Sequence, residues 1–179
     1  MTPFVATAAT AAVLVFIGLL LVWNGSPVAA IARGLPRSQR GAWLTIGVST
    51  LWTLYHVTNL GESDFGNFKM PLAIGFVALA GLSLLYVPDF LAVRGASALT
   101  LLVAWVLVAA TFMHYEAPAI MLKVFVYLAV LLALYFAVAP FRVRDFFQWL
   151  FARPRRPRIL GVFLAAYGFA LLGAAFTYA

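Results

Sequence analysis

The sequence predicts an all-α, polytopic integral membrane bundle of about six transmembrane helices, and three observations predict it. Only 9% of the residues are charged while 65% are hydrophobic, against about a quarter charged in a soluble domain. Mean hydropathy is +1.04. The apolar residues come in unbroken runs of about 20, the length a helix needs to cross a bilayer at about 1.5 Å per residue. No polar stretch approaches the roughly 50 residues of a small soluble domain, so a single transmembrane domain accounts for residues 1–179.

The spans read as 4–23, 42–60, 71–87, 92–115, 118–138 and 159–178. The first lacks a positively charged start and is longer than the roughly 7 to 15 apolar residues of a secretory signal, so it reads as a retained helix. It ends at Asn24-Gly25-Ser26-Pro27, which supplies turn geometry. Residues 28–41 carry Arg33, Arg37 and Arg40, are broken by Pro36, and read as a basic surface loop with a short interfacial turn of helix. The second span is followed by the most polar connection in the chain, 61–69, with Glu62 and Asp64. Pro71, a residue suited to a first helical turn, opens the third span, and Pro88-Asp89 makes the turn that closes it. Arg94 sits near the start of the fourth. Glu116, Ala117 and Pro118 connect to the fifth, and Pro140 lies beyond its end.

Residues 141–158 interleave Arg142, Arg144, Asp145, Gln148 and Arg153 with Phe146, Phe147, Trp149, Leu150 and Phe151. Such a segment predicts an interfacial basic and aromatic helix between the last two spans, its rings at the acyl boundary and its arginines among anionic headgroups. Arg142, Arg144, Trp149, Arg153, Arg155, Arg156 and Arg158 form the expected surface for lipid or for a partner. The net charge of +7 is thereby explained without nucleic acid.

Lys and Arg in short loops are retained on the cytoplasmic side, the positive-inside rule. All ten arginines fall in alternate connections, whereas Lys69 and Lys123 are the basic residues of the opposite face. This predicts an N-out, C-out topology. Frequent alanine, with arginine outnumbering lysine, points to a high-GC bacterial source and so to the bacterial inner membrane.

Few residues are candidates for chemistry. The absence of cysteine excludes disulfides, thiolate metal sites and cysteine nucleophiles. There is no Gly-rich phosphate loop, no Gly-x-Ser-x-Gly elbow and no His-Glu-x-x-His zinc helix, so catalysis is not expected. Thr45, Ser49, Trp52, Thr53, His56 and Asn59 recur at steps of three and four and form a polar stripe on the second span. His56 and His114 both belong to the outer half. Their depths differ by roughly 6 to 9 Å at the helical rise, which disfavours a bis-histidine b-type haem. A metal set of His114, Glu116, Glu62 and Asp64 has the right donor types but lacks the i, i+4 pairing of a zinc helix. Lys123, one turn into the fifth span with Tyr127 four residues on, reads as a snorkelling residue paired with a nearby carboxylate. Small residues mark expected helix contacts: Ala8 and Ala12, Gly75 and Ala78, and Ala166, Ala170 and Ala174.

The resulting expectation is a non-catalytic accessory or assembly subunit of a larger membrane complex, with no cofactor. Two alternatives remain open. One is a small-solute or ion transporter or channel whose outward-facing cavity is lined by His56, His114, Lys123, Tyr127 and the polar stripe. The other is a b-haem or quinone-binding redox protein.

Overall fold

A computed structural model describes residues 1–61, 64–87 and 89–178. Every regular element among them is helical: α1 (Pro3–Trp23), α2 (Ser26–Gly34), α3 (Gln39–Thr58), α4 (Lys69–Tyr86), α5 (Leu91–Ala110), α6 (Ala117–Val138), α7 (Phe141–Leu150) and α8 (Arg155–Ala175). Five helices are long and apolar enough to cross a membrane: α1, α4, α5, α6 and α8. The remaining long helix, α3, has 20 residues but carries the polar stripe. The chain is a helical membrane bundle with two short helices, α2 and α7, beside the long ones.

Local chemistry sets the ends. The Thr2 hydroxyl accepts from the Val5 amide and Pro3 occupies the first turn of α1, where a missing N–H costs nothing. Asn24 closes that helix in the left-handed region, φ 47°. The expected turn at residues 24–27 is therefore split, because Ser26 and Pro27 already belong to α2. Ser38 caps α3 through the Gly41 amide at 3.0 Å. Two further boundaries differ from expectation. The fourth long helix stops at Ala110 rather than 115, and Met113 in the connection that follows takes φ 63°, outside the helical region. The last begins at Arg155, so Arg155, Arg156 and Arg158 lie in its first turn and not in a loop.

The bundle is inverted relative to a soluble protein. Many buried positions are small or hydroxylated, including Ala6, Thr7, Ala11, Ser97, Ala104 and Thr111, while Phe16, Leu85, Leu131 and Phe163 point outward. Lipid is as apolar as leucine, so bulky side chains lose nothing on the outside, and close approach of backbones supplies the packing. The main core joins α1, α5, α6 and α8 through Leu14, Leu122, Val126 and Leu171. On its far side α3 packs against α5, and α4 packs chiefly against α3.

The most extensive contact in the molecule is between α1 and α8, which run antiparallel: Phe4 meets Phe176, and Gly18 meets Gly161. A Cβ built on Gly18 would lie 2.7 Å from the Ala165 nitrogen, and one on Gly161 would lie 2.6 Å from the Gly18 oxygen. No real Cβ tolerates such approaches, so glycine is required here. The seam consists of Ala11 and Gly18 facing Gly161, Ala165, Gly168 and Ala175. This corrects the sequence reading, since Ala12, Ala166 and Ala170 are exposed. The seam is displaced by one residue, about 100° of rotation on a helix. Alanine is frequent enough to draw a small-residue line on several faces, and glycine selects the one in contact.

Thermal denaturation in a mild detergent will separate the two classes of glycine. Gly161→Ala is expected to cost about 1–3 kcal/mol through overpacking. Gly173→Ala, on the same helix but with nothing within 4 Å of the added carbon, is expected to be neutral or slightly stabilising. Equal effects would mean that α1 and α8 do not meet at this seam.

Candidate functional site

The bundle has two chemically distinct ends. At one, the α5–α6 connection gathers His114, Tyr115 and Glu116. Glu116 is the cap residue of α6, where a carboxylate complements the positive helix terminus. A bond from its own backbone N–H, and then the His114 imidazole, hold its carboxyl below the usual range. The His114 Nδ1 lies 3.3 Å from Glu116 Oε2. Because the lowered pKa belongs to the folded state, the small stabilisation is present above the ordinary carboxylate range and is lost as pH falls below it through the lowered value.

Lys123 does not pair with a carboxylate as expected. Its Nζ donates to the His114 carbonyl at 2.7 Å and lies 5.4 Å from the centre of the Tyr115 ring. The lysine thus straps the connection onto α6, satisfying a carbonyl of the irregular backbone between α5 and α6. Tyr178 closes over the group, its ring edge-on to His114 at 6.3 Å and its hydroxyl accepting from Thr7 at 3.4 Å. Tyr127 is exposed on the outside of α6 and makes no hydrogen bond with Lys123.

Three members of the polar stripe on α3 are turned onto backbone. Thr45 donates to the Gly41 carbonyl at 2.9 Å and contacts the Ala92 carbonyl at 3.3 Å, Ser49 donates to Ile46, and Asn59 donates to Tyr55 at 2.7 Å. His56 is not turned that way. Its Nε2 is buried without a hydrogen-bond partner, and its ring stands edge-on to Trp105 of α5 at 4.9 Å and to Tyr55 at 5.6 Å. His56 and His114 therefore have separate neighbours. Among the described residues no three of His, Asp or Glu converge as a metal set; Glu62, one member of the expected set, lies outside them.

At the other end the arginines meet aromatic rings and carbonyls. Arg33 of α2 donates to the Phe151 carbonyl at 2.9 Å, and Arg156 donates to the Trp149 carbonyl at 2.7 Å while its guanidinium lies 4.4 Å from the Trp149 ring. Arg144 pairs with its neighbour Asp145 at 2.7 Å. The guanidiniums of Arg37 and Arg144 flank one ring, that of Phe90, at 5.3 and 6.0 Å from its centre. Arg142 stacks on Phe141, whereas Arg153, Arg155 and Arg158 are exposed.

Beside these rings lies a cavity of about 410 Å³ between α3, α5, α6 and α7. Small side chains carve its walls, Ala92 and Ala96 on α5 and Ala129 and Ala133 on α6, and Phe146 and Phe147 of α7 roof it. The sequence reading singled out neither this cavity nor the meeting of Arg37 and Arg144 at Phe90. The signal was present as two pairs of alanines at i, i+4 near the arginine-bearing ends. No protein-family model, curated protein or solved structure matches this chain.

Two substitutions test these roles by thermal denaturation. His56→Phe removes an unpaired polar atom while keeping an aromatic edge against Trp105, so stability is expected to hold or rise; a loss above about 1 kcal/mol would mean that Nε2 has a partner. Lys123→Met is expected to cost about 1–2 kcal/mol by stranding the His114 carbonyl, whereas Tyr127→Phe should be silent.

Proposed function

We propose that this chain is a non-catalytic, six-span protein of the bacterial cytoplasmic membrane, with both termini outside, that serves as an accessory or assembly subunit of a larger membrane complex. The observation that carries the reading is α4. Its 18 residues include no buried side chain, and its main neighbour is α3. Gly75 and Ala78, one turn apart, are both exposed on it, and nothing lies within 4 Å of the Gly75 Cβ direction. Such a notch favours close approach by a helix of another subunit.

A sixth crossing is supported by the course of α3. It runs parallel to α5, from Thr45 beside Gly95 to His56 beside Trp105, so it spans much of the same depth. The arginine-bearing end is taken as cytoplasmic because Lys and Arg in short loops resist translocation. The non-catalytic reading draws support from Thr45, Ser49 and Asn59, whose side chains are spent on backbone carbonyls.

Affinity capture from native membranes followed by mass spectrometry is expected to recover a distinct membrane protein, and Gly75→Trp on α4 to release it. A monodisperse monomer with no co-purifying protein would argue strongly against the subunit role. Because the chain has no cysteine, single cysteines at Asn67 and Arg155 report orientation directly. An impermeant maleimide should label the first from outside and the second only after permeabilisation; labelling of both from one side would overturn the topology.

A further inference from the structure

We propose that the cavity roofed by α7 is a binding site for one acyl chain of an anionic glycerophospholipid, whose phosphate lies at Arg37 and Arg144. At about 410 Å³ the cavity falls within the roughly 300–1,000 Å³ of small-molecule sites. Its chemistry selects hydrocarbon. The lining side chains are apolar except for Thr45, Ser97 and Thr100, and the hydroxyls of Thr45 and Thr100 both donate to helix carbonyls at 2.9 Å. Little is left to hold water or a polar ligand.

Access and charge select a lipid. Ala96, Leu132 and Phe146 of the lining are exposed, so the cavity is a groove open to the side of the bundle, where chains of the bilayer lie. It sits where α3 and α5 begin and α6 ends, the end that gathers the arginines. Pro36 and Val143 line it, and the residues after them, Arg37 and Arg144, bring two guanidiniums to the Phe90 ring. Asp145 offsets Arg144, and Asp89 shares a neighbouring cavity with Arg37. Arg37 itself forms no ion pair among the described residues. In the sequence, ten arginines face only these two aspartates on this side, so the end of the bundle at which the groove lies is positive and complements a phosphodiester. Arginine suits that group through its planar fork of donors.

Native mass spectrometry of the full chain, released from its membranes in mild detergent, reads the site directly. One retained phospholipid is expected, and titration with phosphatidylglycerol should bind at least fivefold more tightly than with phosphatidylcholine. Ala96→Phe fills the groove from its open side and should abolish retention while the protein stays monodisperse; should that variant not fold, Leu132→Trp obstructs the same side. Arg37→Gln should erase the headgroup preference while keeping the chain bound. Binding of phosphatidylglycerol unchanged by both groove variants would overturn the site. Equal binding of the two lipids by the wild type would overturn the anionic headgroup, and equal stabilisation by glycerol phosphate alone would overturn the acyl chain.

Discussion

The contact on which the rest of this structure depends is the backbone approach of α1 to α8. In a bilayer no hydrophobic drive pulls one apolar helix to another, because lipid solvates both, and dispersion across a close interface must do it. Gly18, Gly161 and Gly168 let the two backbones come within reach of each other. The first and last long helices are thereby joined, and with them the two ends of the chain. Tyr178 is carried to Thr7 and on to His114 at one end. At the other, the start of α8 comes beside the end of α1, from which α2 leaves, and Arg33 of α2 reaches the carbonyl of Phe151, the residue after α7.

Charge at the two helix starts follows opposite logic. Glu116 caps α6 in accord with the helix dipole, and the pairing with His114 reinforces it. Arg155, Arg156 and Arg158 occupy the first turn of α8, where each cation opposes the dipole by about 0.3–1 kcal/mol. Helix stability did not place them there. Arg156 recovers part of the cost through the Trp149 carbonyl and ring, and the others remain in solvent or headgroups. A side of the bundle that accepts such a penalty serves something other than its own helices, which accords with the proposed retention of this face in the cytoplasm and with a role in holding anionic lipid.

Hydropathy made the long helices legible because it is summed along a span, and each expected core coincides with a helix. The amphipathic mixture at residues 141–158 likewise announced α7. Rotation and ends were harder to read. A sum over 20 residues is blind to which face is inward, so the run of Ala166, Ala170 and Ala174 was as persuasive as the true seam one residue away. Only the glycines broke the tie. The position of His114 depended on α5 ending at Ala110 and on the left-handed turn at Met113, short-range events that apolar residues on both sides conceal. Lys123 found a carbonyl rather than an acid because the irregular backbone of the connection places the His114 oxygen within its reach. The α3 stripe was visible as a pattern, but the hydroxyls of Thr45 and Ser49 were spent on carbonyls of their own helix, a choice the pattern does not encode.

The cavity under α7 arises from the same small-residue chemistry that joins α1 to α8, with a different outcome. Along that first seam the small residues let two backbones touch and nothing is left between them. Between α5 and α6, Ala92, Ala96, Ala129 and Ala133 also withdraw side chains from the interface, yet the helices leave a space of about 410 Å³. Protein interiors do not keep apolar voids of that size, because every wall atom facing one forfeits its dispersion partner. A soluble protein would collapse such a gap or rebuild it with larger residues. A groove open to the bilayer has a third course, since hydrocarbon at high concentration lies directly beside it. On that argument the lipid proposed for the groove acts as a packing element, completing the contact between α5, α6 and the aromatic roof that the chain's own side chains leave unfinished.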